Sequence, residues 1–271
     1  MRPNDSPAGG WIRRIQKLGL RPERDAKGLY FVEGARQVLR VLQAGHAVEK
    51  LVYCEVLAPS FLQKRVRLAR RDGIDVVALS PEQFRSISTA ERASGVAGIV
   101  RQHWTPIENA DPCRGLCWVA VAKTRSAGNL GTMLRTAEAA GVAGLIVLEP
   151  ETDPFDPRVV RASMGGIFGL QFVRATRTEL LLWSLRHGCG ITGTSPEGPT
   201  NYTDVEIDRA LVVLFGEERK GLTQDELAMC SQTMRIPMVG SADSLNLGVA
   251  AGVVLFDLLR RRGGLDDAPS S

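Results

Sequence analysis

Short apolar runs and longer amphipathic segments alternate along the first hundred residues. Apolar runs of four or five residues are typical of strands, and apolar positions spaced three and four apart are typical of helices. This pattern predicts strands at residues 29–33, 50–54, 76–79 and 96–100, and helices at residues 35–44 and 60–71 and after SPEQF at 80–84. Strands that alternate with helices predict a small α/β domain.

The pattern breaks at residues 103–114 (HWTPIENADPCR), which hold two prolines and no periodicity. We therefore predict two domains, residues 1–108 and 109–271. The second domain also reads as α/β, with strands at 118–122, 145–148, 190–194 and 211–215 and helices at 130–140 and 246–260. The last helix is apolar nearly all round, which predicts burial in the core or against a second subunit. Its Gly248 and Gly252 would permit close helix contact.

Both chain ends are rich in Pro, Gly and Ser and are predicted to be frayed, over residues 1–10 and 263–271. The longest uncharged apolar run, at 245–256, is too short to cross a bilayer, and the first thirty residues lack a signal-peptide core. We expect a cytoplasmic protein without a membrane partner. The five cysteines form no C-x-x-C pair, so neither a disulfide framework nor a metal site is expected.

Positive charge is concentrated in the first domain. Residues 1–108 carry 18 Lys and Arg against 11 Asp and Glu, whereas residues 109–271 carry 16 against 19. The helix at 60–71 holds five of these cations, Arg67, Arg70 and Arg71 among them. Such a helix face is either an ordinary solvated surface or a surface that binds phosphates.

Residues 123–142 (KTRSAGNLGTMLRTAEAAGV) form a loop that leaves one strand and enters a helix. Asn129 is predicted to be the helix N-cap. Arg135 lies off the apolar stripe, where it would hold a phosphate or face a reacting hydroxyl, or simply pair with Glu138 on the surface. The loop, with Glu149 about twenty residues on, also permits a dinucleotide site, but the G-x-G-x-x-G pattern is absent.

Two further loops carry glycine and polar residues. In residues 211–227, Gly216 and Gly221 flank a loop that would let a ligand approach the backbone, and Thr223 with Glu226 predicts a capping box. In residues 235–260, Asn246 opens an otherwise apolar helix. An unpaired amide there would be costly, so Asn246 needs a partner in the fold or in a ligand.

The three loops, in this order, resemble the motifs of the SpoU family of RNA ribose 2'-O-methyltransferases, in the SPOUT superfamily. They read N-x-G-x-x-x-R-T-A at 129–137, F-G-x-E-x-x-G-L at 215–222, and I-P-M-x-G followed by S-L-N at 236–246. The segment RVVRASMGGIF at 158–168 also resembles the family. The first domain resembles the small substrate-binding domain that many members share with certain ribosomal RNA-binding proteins.

The resemblance implies a deep trefoil knot around a parallel sheet, a homodimer, and S-adenosylmethionine as cofactor. It places catalytic residues at Asn129, Arg135, Glu218, Ser244 and Asn246. It places cofactor-binding residues at Thr194, Gly216, Gly221, Ile236 and Leu245. The chain departs from many members at Gly248, where a serine is frequent.

The expected activity is methyl transfer to a ribose 2'-hydroxyl of RNA, with ribosomal RNA favoured over transfer RNA by the two-domain layout. RNA contacts are expected at Arg67, Arg70, Arg71, Arg125, Arg158 and Arg161. Two alternatives stay open at this point: a non-catalytic RNA-binding protein of the same fold, and a dinucleotide-dependent oxidoreductase.

Overall fold

The computed structural model describes residues 7–241 and 243–263. The predicted fraying at residues 1–6 and 264–271 lies outside the described residues, whereas residues 7–10, also predicted to be frayed, begin a helix. Contacts divide the described chain into two compact units. The first holds the residues up to His103 together with Asp153–Phe168, and the second holds Trp104–Thr152 and the residues from Gly169 onward.

Helices and strands alternate through both units, apart from two short 3-10 turns. The helices are α1 (Pro7–Lys17), α2 (Arg21–Lys27), α3 (Ala35–Gln43), α4 (Phe61–Arg71), α5 (Pro81–Arg85), α6 (Ala127–Ala139), α7 (Pro157–Ala162), α8 (Arg177–His187), α9 (Gln224–Ala228) and α10 (Leu247–Arg261). The strands are β1 (Leu29–Glu33), β2 (Val48–Tyr53), β3 (Val76–Ala78), β4 (Val96–Arg101), β5 (Trp118–Val121), β6 (Gly144–Val147), β7 (Gln171–Arg174), β8 (Gly190–Thr194), β9 (Thr200–Asn201), β10 (Leu211–Phe215) and β11 (Gln232–Arg235).

The first unit is built on a mixed four-stranded sheet in the order β1-β4-β2-β3. Strand β4 is antiparallel to both β1 and β2, and β2 is parallel to β3. Its core contains Phe31, Val52 and Phe84. The sequence pattern missed α1, although Ile15 and Leu18 lie three residues apart and are both buried. The predicted strands and helices of this unit are confirmed to within about two residues.

The segment Asp153–Phe168 belongs to the first unit although it follows β6 in the chain. Arg24, only 1% exposed, forms an ion pair with Asp153 and donates a 2.7 Å hydrogen bond to the Leu18 carbonyl. The Tyr30 and Phe155 rings lie 4.7 Å apart. The chain therefore crosses between the units three times, at residues 103, 152 and 168, where the sequence predicted a single boundary at residue 108.

The second unit is built on a seven-stranded sheet in the order β7-β6-β5-β10-β8-β11-β9. Every pairing is parallel. Trp118, Ile146, Val212 and Leu214 are buried in its core, as expected for strands covered on both faces. All four strands predicted here are confirmed. The polar strands β9 and β11 were not predicted, because neither contains an apolar run.

Helices α6 and α10 pack against each other. A Cβ atom on Gly248 would lie 2.8 Å from Cγ2 of Thr132, so the predicted close helix contact is confirmed there. Helix α10 was predicted to be buried in the core or against a second subunit, and within this chain one face stays open, with Val249 52% exposed and Phe256 43%. These residues lie seven apart, so the exposed apolar positions share one helix face.

The cysteines are free thiols. Burial raises the pKa of Cys117 and Cys189 to about 12. In the described ranges, no three His, Cys, Asp or Glu side chains come together as a metal site would require. No helix in the described part of the chain has both the length and the apolar content needed to cross a bilayer.

Candidate functional site

A cavity of about 410 Å³ lies in the second unit, at the edge of the sheet where β8, β10 and β11 end. Because these strands are parallel, the loops that follow them meet at one edge, where α/β sheets commonly bind ligands. All five residues predicted to bind a cofactor line this cavity: Thr194, Gly216, Gly221, Ile236 and Leu245. Glu218 and Ser244, predicted to be catalytic, also line it.

The cavity wall combines apolar side chains with carboxylates. The apolar part includes Leu222, Met234, Ile236, Met238, Leu247 and Val254. The acidic part consists of Glu197, Glu217, Glu218 and Asp243, with Arg219 and Lys220 as the basic members. An apolar pocket of this size with a few polar groups is the usual form of a small-molecule site.

The loop after β10 closes on itself through its backbone. Glu217 N–H donates to the Gly221 carbonyl at 3.0 Å, and Gly221 N–H donates to the Glu217 carbonyl at 2.9 Å. A Cβ atom on Gly216 would lie only 2.2 Å from the Gly221 carbonyl carbon. The nearest neighbour that a side chain on Gly216 would meet is thus the chain's own backbone, and the expectation that this glycine makes room for a ligand stays a prediction. Gly221 has a φ of +67° and an open side-chain position.

A hydrogen-bond network joins the three motif loops. The Glu218 carboxylate accepts from the Thr124 hydroxyl and from the Asn129 amide, the latter at 3.4 Å. The Asn129 side-chain carbonyl accepts from the Asn246 amide at 2.7 Å. The Asn246 carbonyl accepts from Gly248 N–H at 2.9 Å. Side chains about 90 to 120 residues apart in sequence are therefore held as one unit.

The capping roles differ from those predicted. Helix α6 begins at Ala127 and is capped by Ser126, whose hydroxyl accepts from Asn129 N–H at 3.2 Å. The prediction that Asn129 is the cap is wrong, and its amide is available to the network instead. Asn246 caps α10 and is exposed, but the partner it was predicted to need is present in Asn129. Ser244 is exposed in the preceding loop. The predicted capping box of Thr223 and Glu226 is confirmed.

Sequence reasoning missed Thr124 and Thr152. Thr124 is 3% exposed, donates its hydroxyl to Glu218, and receives support from Thr152, whose hydroxyl accepts Thr124 N–H at 3.1 Å. The sequence signal that could have identified Thr124 is a hydroxyl side chain three positions after the buried strand β5, in the loop that carries the first motif.

Arg135 lies outside this network. It is exposed on α6, does not line the cavity, and makes no hydrogen bond or ion pair with another described residue, so the surface pair with Glu138 is absent as well. Arg125, in the loop before α6, is also exposed.

The other predicted RNA-binding arginines belong to the first unit. Arg67, Arg70 and Arg71 are exposed on α4, opposite its buried face. Arg158 and Arg161 lie on α7 and thus in the first unit, although they were expected in the catalytic domain. Arg158 pairs with Asp156 at 2.9 Å. Burial raises the pKa of Asp156, but the Arg158 hydrogen bonds and charge outweigh burial and hold this pKa below its ordinary value.

Glu149, the acid that a dinucleotide site would use for a ribose, is engaged elsewhere. It accepts from Arg177 at 2.6 Å, and Arg177 also pairs with the buried Glu226 at 2.8 Å. Its carboxylate therefore ties the end of β6 to α8 and α9.

Comparisons with known proteins agree with the arrangement of the three loops. Residues 117–256 match the model of the SpoU rRNA Methylase family, and residues 11–98 match an MRM3-like substrate binding domain. A 23S rRNA (uridine(2479)-2'-O)-methyltransferase of Streptomyces viridochromogenes is 30% identical over 90% of this chain and 87% of its own length.

Solved structures give the same result. An AdoMet-bound rRNA methyltransferase from Sinorhizobium meliloti superposes with a TM-score of 0.86 at 30% identity, over 94% of this chain and 96% of that chain. The SpoU methyltransferase AviRb from Streptomyces viridochromogenes, in complex with AdoMet, gives 0.84 at 27% identity, over 93% and 97%. Since the family model spans more than half of the sequence and carries all three motif loops, the chain belongs to the SpoU family of RNA methyltransferases.

Proposed function

We propose that this protein transfers a methyl group from S-adenosylmethionine to a ribose 2'-hydroxyl of ribosomal RNA. The observation that carries the proposal is the joining of three motif loops by Glu218, Asn129 and Asn246 beside a cavity lined by every predicted cofactor position. Such a network fixes the relative positions of loops that would otherwise move independently.

The cavity fits the cofactor in size and chemistry. Its volume of about 410 Å³ lies within the range of small-molecule sites. Apolar side chains such as Leu222 and Ile236 suit the flat adenine ring, and the carboxylates of Glu217 and Asp243 suit the ammonium and sulfonium charges. In the loop of residues 236–241 and 243–245, no backbone N–H donates to another described residue, so these donors are available to the ligand.

The bound cofactor supplies an electrophilic methyl group with a neutral thioether as leaving group. The protein must align the ribose and stabilise the negative charge that develops on its 2'-oxygen. We assign this second role to Arg135, because a guanidinium stays protonated at neutral pH and donates hydrogen bonds but is a poor base. Glu218, Asn129 and Asn246 act as positioning residues. Ser244 lines the cavity, so we expect it to contact the cofactor or the ribose.

The position of Arg135 supports a homodimer. Arg135 does not line its own chain's cavity, and helix α10 exposes an apolar face that includes Val249 and Phe256. Burying this face against a second copy would remove apolar surface from water. The dimer would then place Arg135 of each chain at the cavity of the other. As in other members of the family, we expect the loops around the cavity to form a trefoil knot.

RNA capture is assigned to the first unit, which carries the excess positive charge and matches a substrate-binding domain. The exposed arginines of α4 would bind phosphates, with Arg125 contributing from the second unit. The names of the S. viridochromogenes and S. meliloti relatives support ribosomal RNA as the substrate. We propose the cytoplasm as the location.

The direct test of the cofactor is a calorimetric titration of the protein with S-adenosylmethionine and, as the control, with NAD. Binding of the first alone supports the methyltransferase, and binding of NAD alone supports the oxidoreductase alternative. Mapping of 2'-O-methylation in RNA from cells with and without the gene then identifies the nucleotide. If S-adenosylmethionine binds but no methylated position depends on the gene, the protein is a non-catalytic RNA-binding member of the family.

A further inference from the structure

The first unit contains a second cavity, of about 140 Å³, where β1 ends and α3 begins. It is lined by Phe31, Glu33, Gly34, Gln37, Thr89, Ala90, Ser94, Pro157 and Arg161. All of these residues belong to the first unit. Part of the wall is apolar, formed by Phe31, Ala90 and Pro157, and the rest is polar.

Most polar groups of this wall already have hydrogen-bond partners in the first unit. The Glu33 carboxylate accepts from the Ser88 hydroxyl at 2.6 Å and from Thr89 N–H at 2.8 Å, and it also accepts from the Thr89 hydroxyl. Ser94 donates its hydroxyl to the Val96 carbonyl at 3.0 Å. Arg161 donates one N–H to the Thr89 carbonyl at 2.9 Å and keeps the rest of its guanidinium for other partners. These bonds fix the shape of the wall.

Gln37 is the exception. It is only 9% exposed and lines the cavity, yet its amide makes no hydrogen bond with any residue that the structure describes. Its side chain lies back over Gly34, since a Cβ atom at Gly34 would stand 2.7 Å from the Gln37 side-chain oxygen. The donor and the acceptor of this amide are therefore free to bond a ligand in the cavity.

We infer that this cavity binds a single unpaired pyrimidine base of the RNA substrate, read by the Gln37 amide. The inference rests on the proposed function for RNA as the partner. An amide offers one donor and one acceptor side by side, which can pair with any base edge that presents both, so the choice of a pyrimidine rests on the size of the cavity. A cavity of roughly 150 Å³ holds one six-membered ring, so a purine would not fit fully. Sequence-specific RNA recognition commonly uses bases turned out from single-stranded segments, with aromatic or guanidinium groups against their faces. Arg161 is exposed in the wall and can take that role, whereas Phe31 is 3% exposed and adds only a small apolar contact.

The test uses the full-length protein without cofactor and RNA heptamers whose residues are abasic except the central one. Anisotropy measures the affinity for heptamers that carry uracil, cytosine, adenine or no base. We expect uracil or cytosine to raise affinity roughly fivefold or more over the fully abasic chain, the smaller end of what a bidentate pair contributes. Gln37→Met, which keeps the side-chain length but cannot form the pair, should abolish this gain. Gln43→Met, at an exposed position of the same helix, should retain it.

Three results would overturn the inference: equal affinity for the pyrimidine and abasic heptamers, a gain that survives in Gln37→Met, or adenine binding as tightly as the pyrimidines. If Gln37→Met does not fold, photo-cross-linking of a 5-iodouracil heptamer to the unaltered protein decides. Cross-links within residues 31–37 or 89–94 support the site, and cross-links only elsewhere refute it. This experiment does not measure methyl transfer, so its failure leaves the proposed activity standing. If the separate mapping of RNA methylation fails while the base-dependent gain in affinity is found, only the proposed activity is refuted.

Discussion

Replacing Gly216 with alanine tests whether the loop after β10 must close for the cofactor to bind. The added Cβ atom would lie 2.2 Å from the Gly221 carbonyl carbon and 2.5 Å from the Leu222 nitrogen, and both are backbone atoms that cannot rotate away. Either the loop opens and loses its two Glu217–Gly221 hydrogen bonds, or it stays closed under strain. Each route costs about 1–3 kcal/mol.

If the loop opens in the variant, the same free energy must be supplied when the cofactor binds the closed loop, whereas a loop that stays closed under strain lowers only the stability. We therefore expect the dissociation constant for S-adenosylmethionine to rise roughly 5- to 150-fold, since each 1.4 kcal/mol corresponds to about a tenfold change. Calorimetric titration measures the affinity, and urea denaturation measures the free energy of unfolding.

Two matched variants separate the clash from other effects. Gly221→Ala places a methyl group in open space at a φ of +67°, so it should cost only the roughly 1–2 kcal/mol of a left-handed backbone. Gly10→Ala, on the exposed side of α1 in the first unit, meets neither a neighbour nor a left-handed φ and should bind the cofactor like the unaltered protein. The reasoning is refuted if Gly216→Ala matches Gly10→Ala in both affinity and stability.

Three further predictions concern charge. Arg135→Ala should lower single-turnover methyl transfer by roughly 100-fold or more and leave cofactor affinity nearly unchanged, because the guanidinium acts on the developing oxyanion. Glutamine at Arg67, Arg70 and Arg71 together should weaken RNA binding at all sequences and flatten the log–log salt dependence by up to about 0.7–0.9 per lost contact. Hydrogen bonds from the Thr176 N–H and the Thr176 hydroxyl lower the pKa of Glu179 below its ordinary value of 4.5. These bonds therefore stabilise the folded protein above pH 4.5, and this contribution is lost as the pH falls through the pKa that Glu179 has in the folded state. Glu179→Gln should flatten the pH dependence of the unfolding free energy below pH 4.5.

Each of these has its own control. Arg125→Ala in the same single-turnover assay tests whether the loss of any exposed cation near the site lowers the rate of methyl transfer. If Arg125→Ala and Arg135→Ala lower the rate equally, Arg135 does not have the role assigned to it. An unchanged salt slope would make the α4 arginines an ordinary solvated face. A Glu179→Gln profile that still falls as steeply below pH 4.5 would assign the acid sensitivity to other carboxylates.

The sequence predicted the central strands of the second unit well, because most of them are apolar runs such as LVVLF in β10. The strands β7, β9 and β11 were not predicted, and both β9 (TN) and β11 (QTMR) lack an apolar run. The return of Asp153–Phe168 to the first unit was equally invisible, because it depends on a buried ion pair between Arg24 and Asp153 across 129 residues of sequence.

The candidate site was predicted by residue type more reliably than by role. Asn129 and Asn246 were singled out, and the structure joins them directly, although Asn129 does not cap its helix. The reason that Gly216 must be glycine could not be seen in sequence, because the loop's two ends meet only in space. Gln37 was passed over for the same reason. A polar residue on an amphipathic helix gives no sign that it faces a cavity.

The Glu218 network has a consequence for how the protein is made. Its members come from positions 124, 129, 218 and 246, so only a fragment that spans residues 124–246 contains them all. Contacts between such distant residues form late, because the intervening chain must be ordered first. During synthesis the strands β5 to β10 emerge before Asn246 does, so the bonds of Glu218 to Thr124 and Asn129 can form first and the bond from Asn246 is added last. A chain that ends before Asn246 therefore lacks the link between its first and third motif loops.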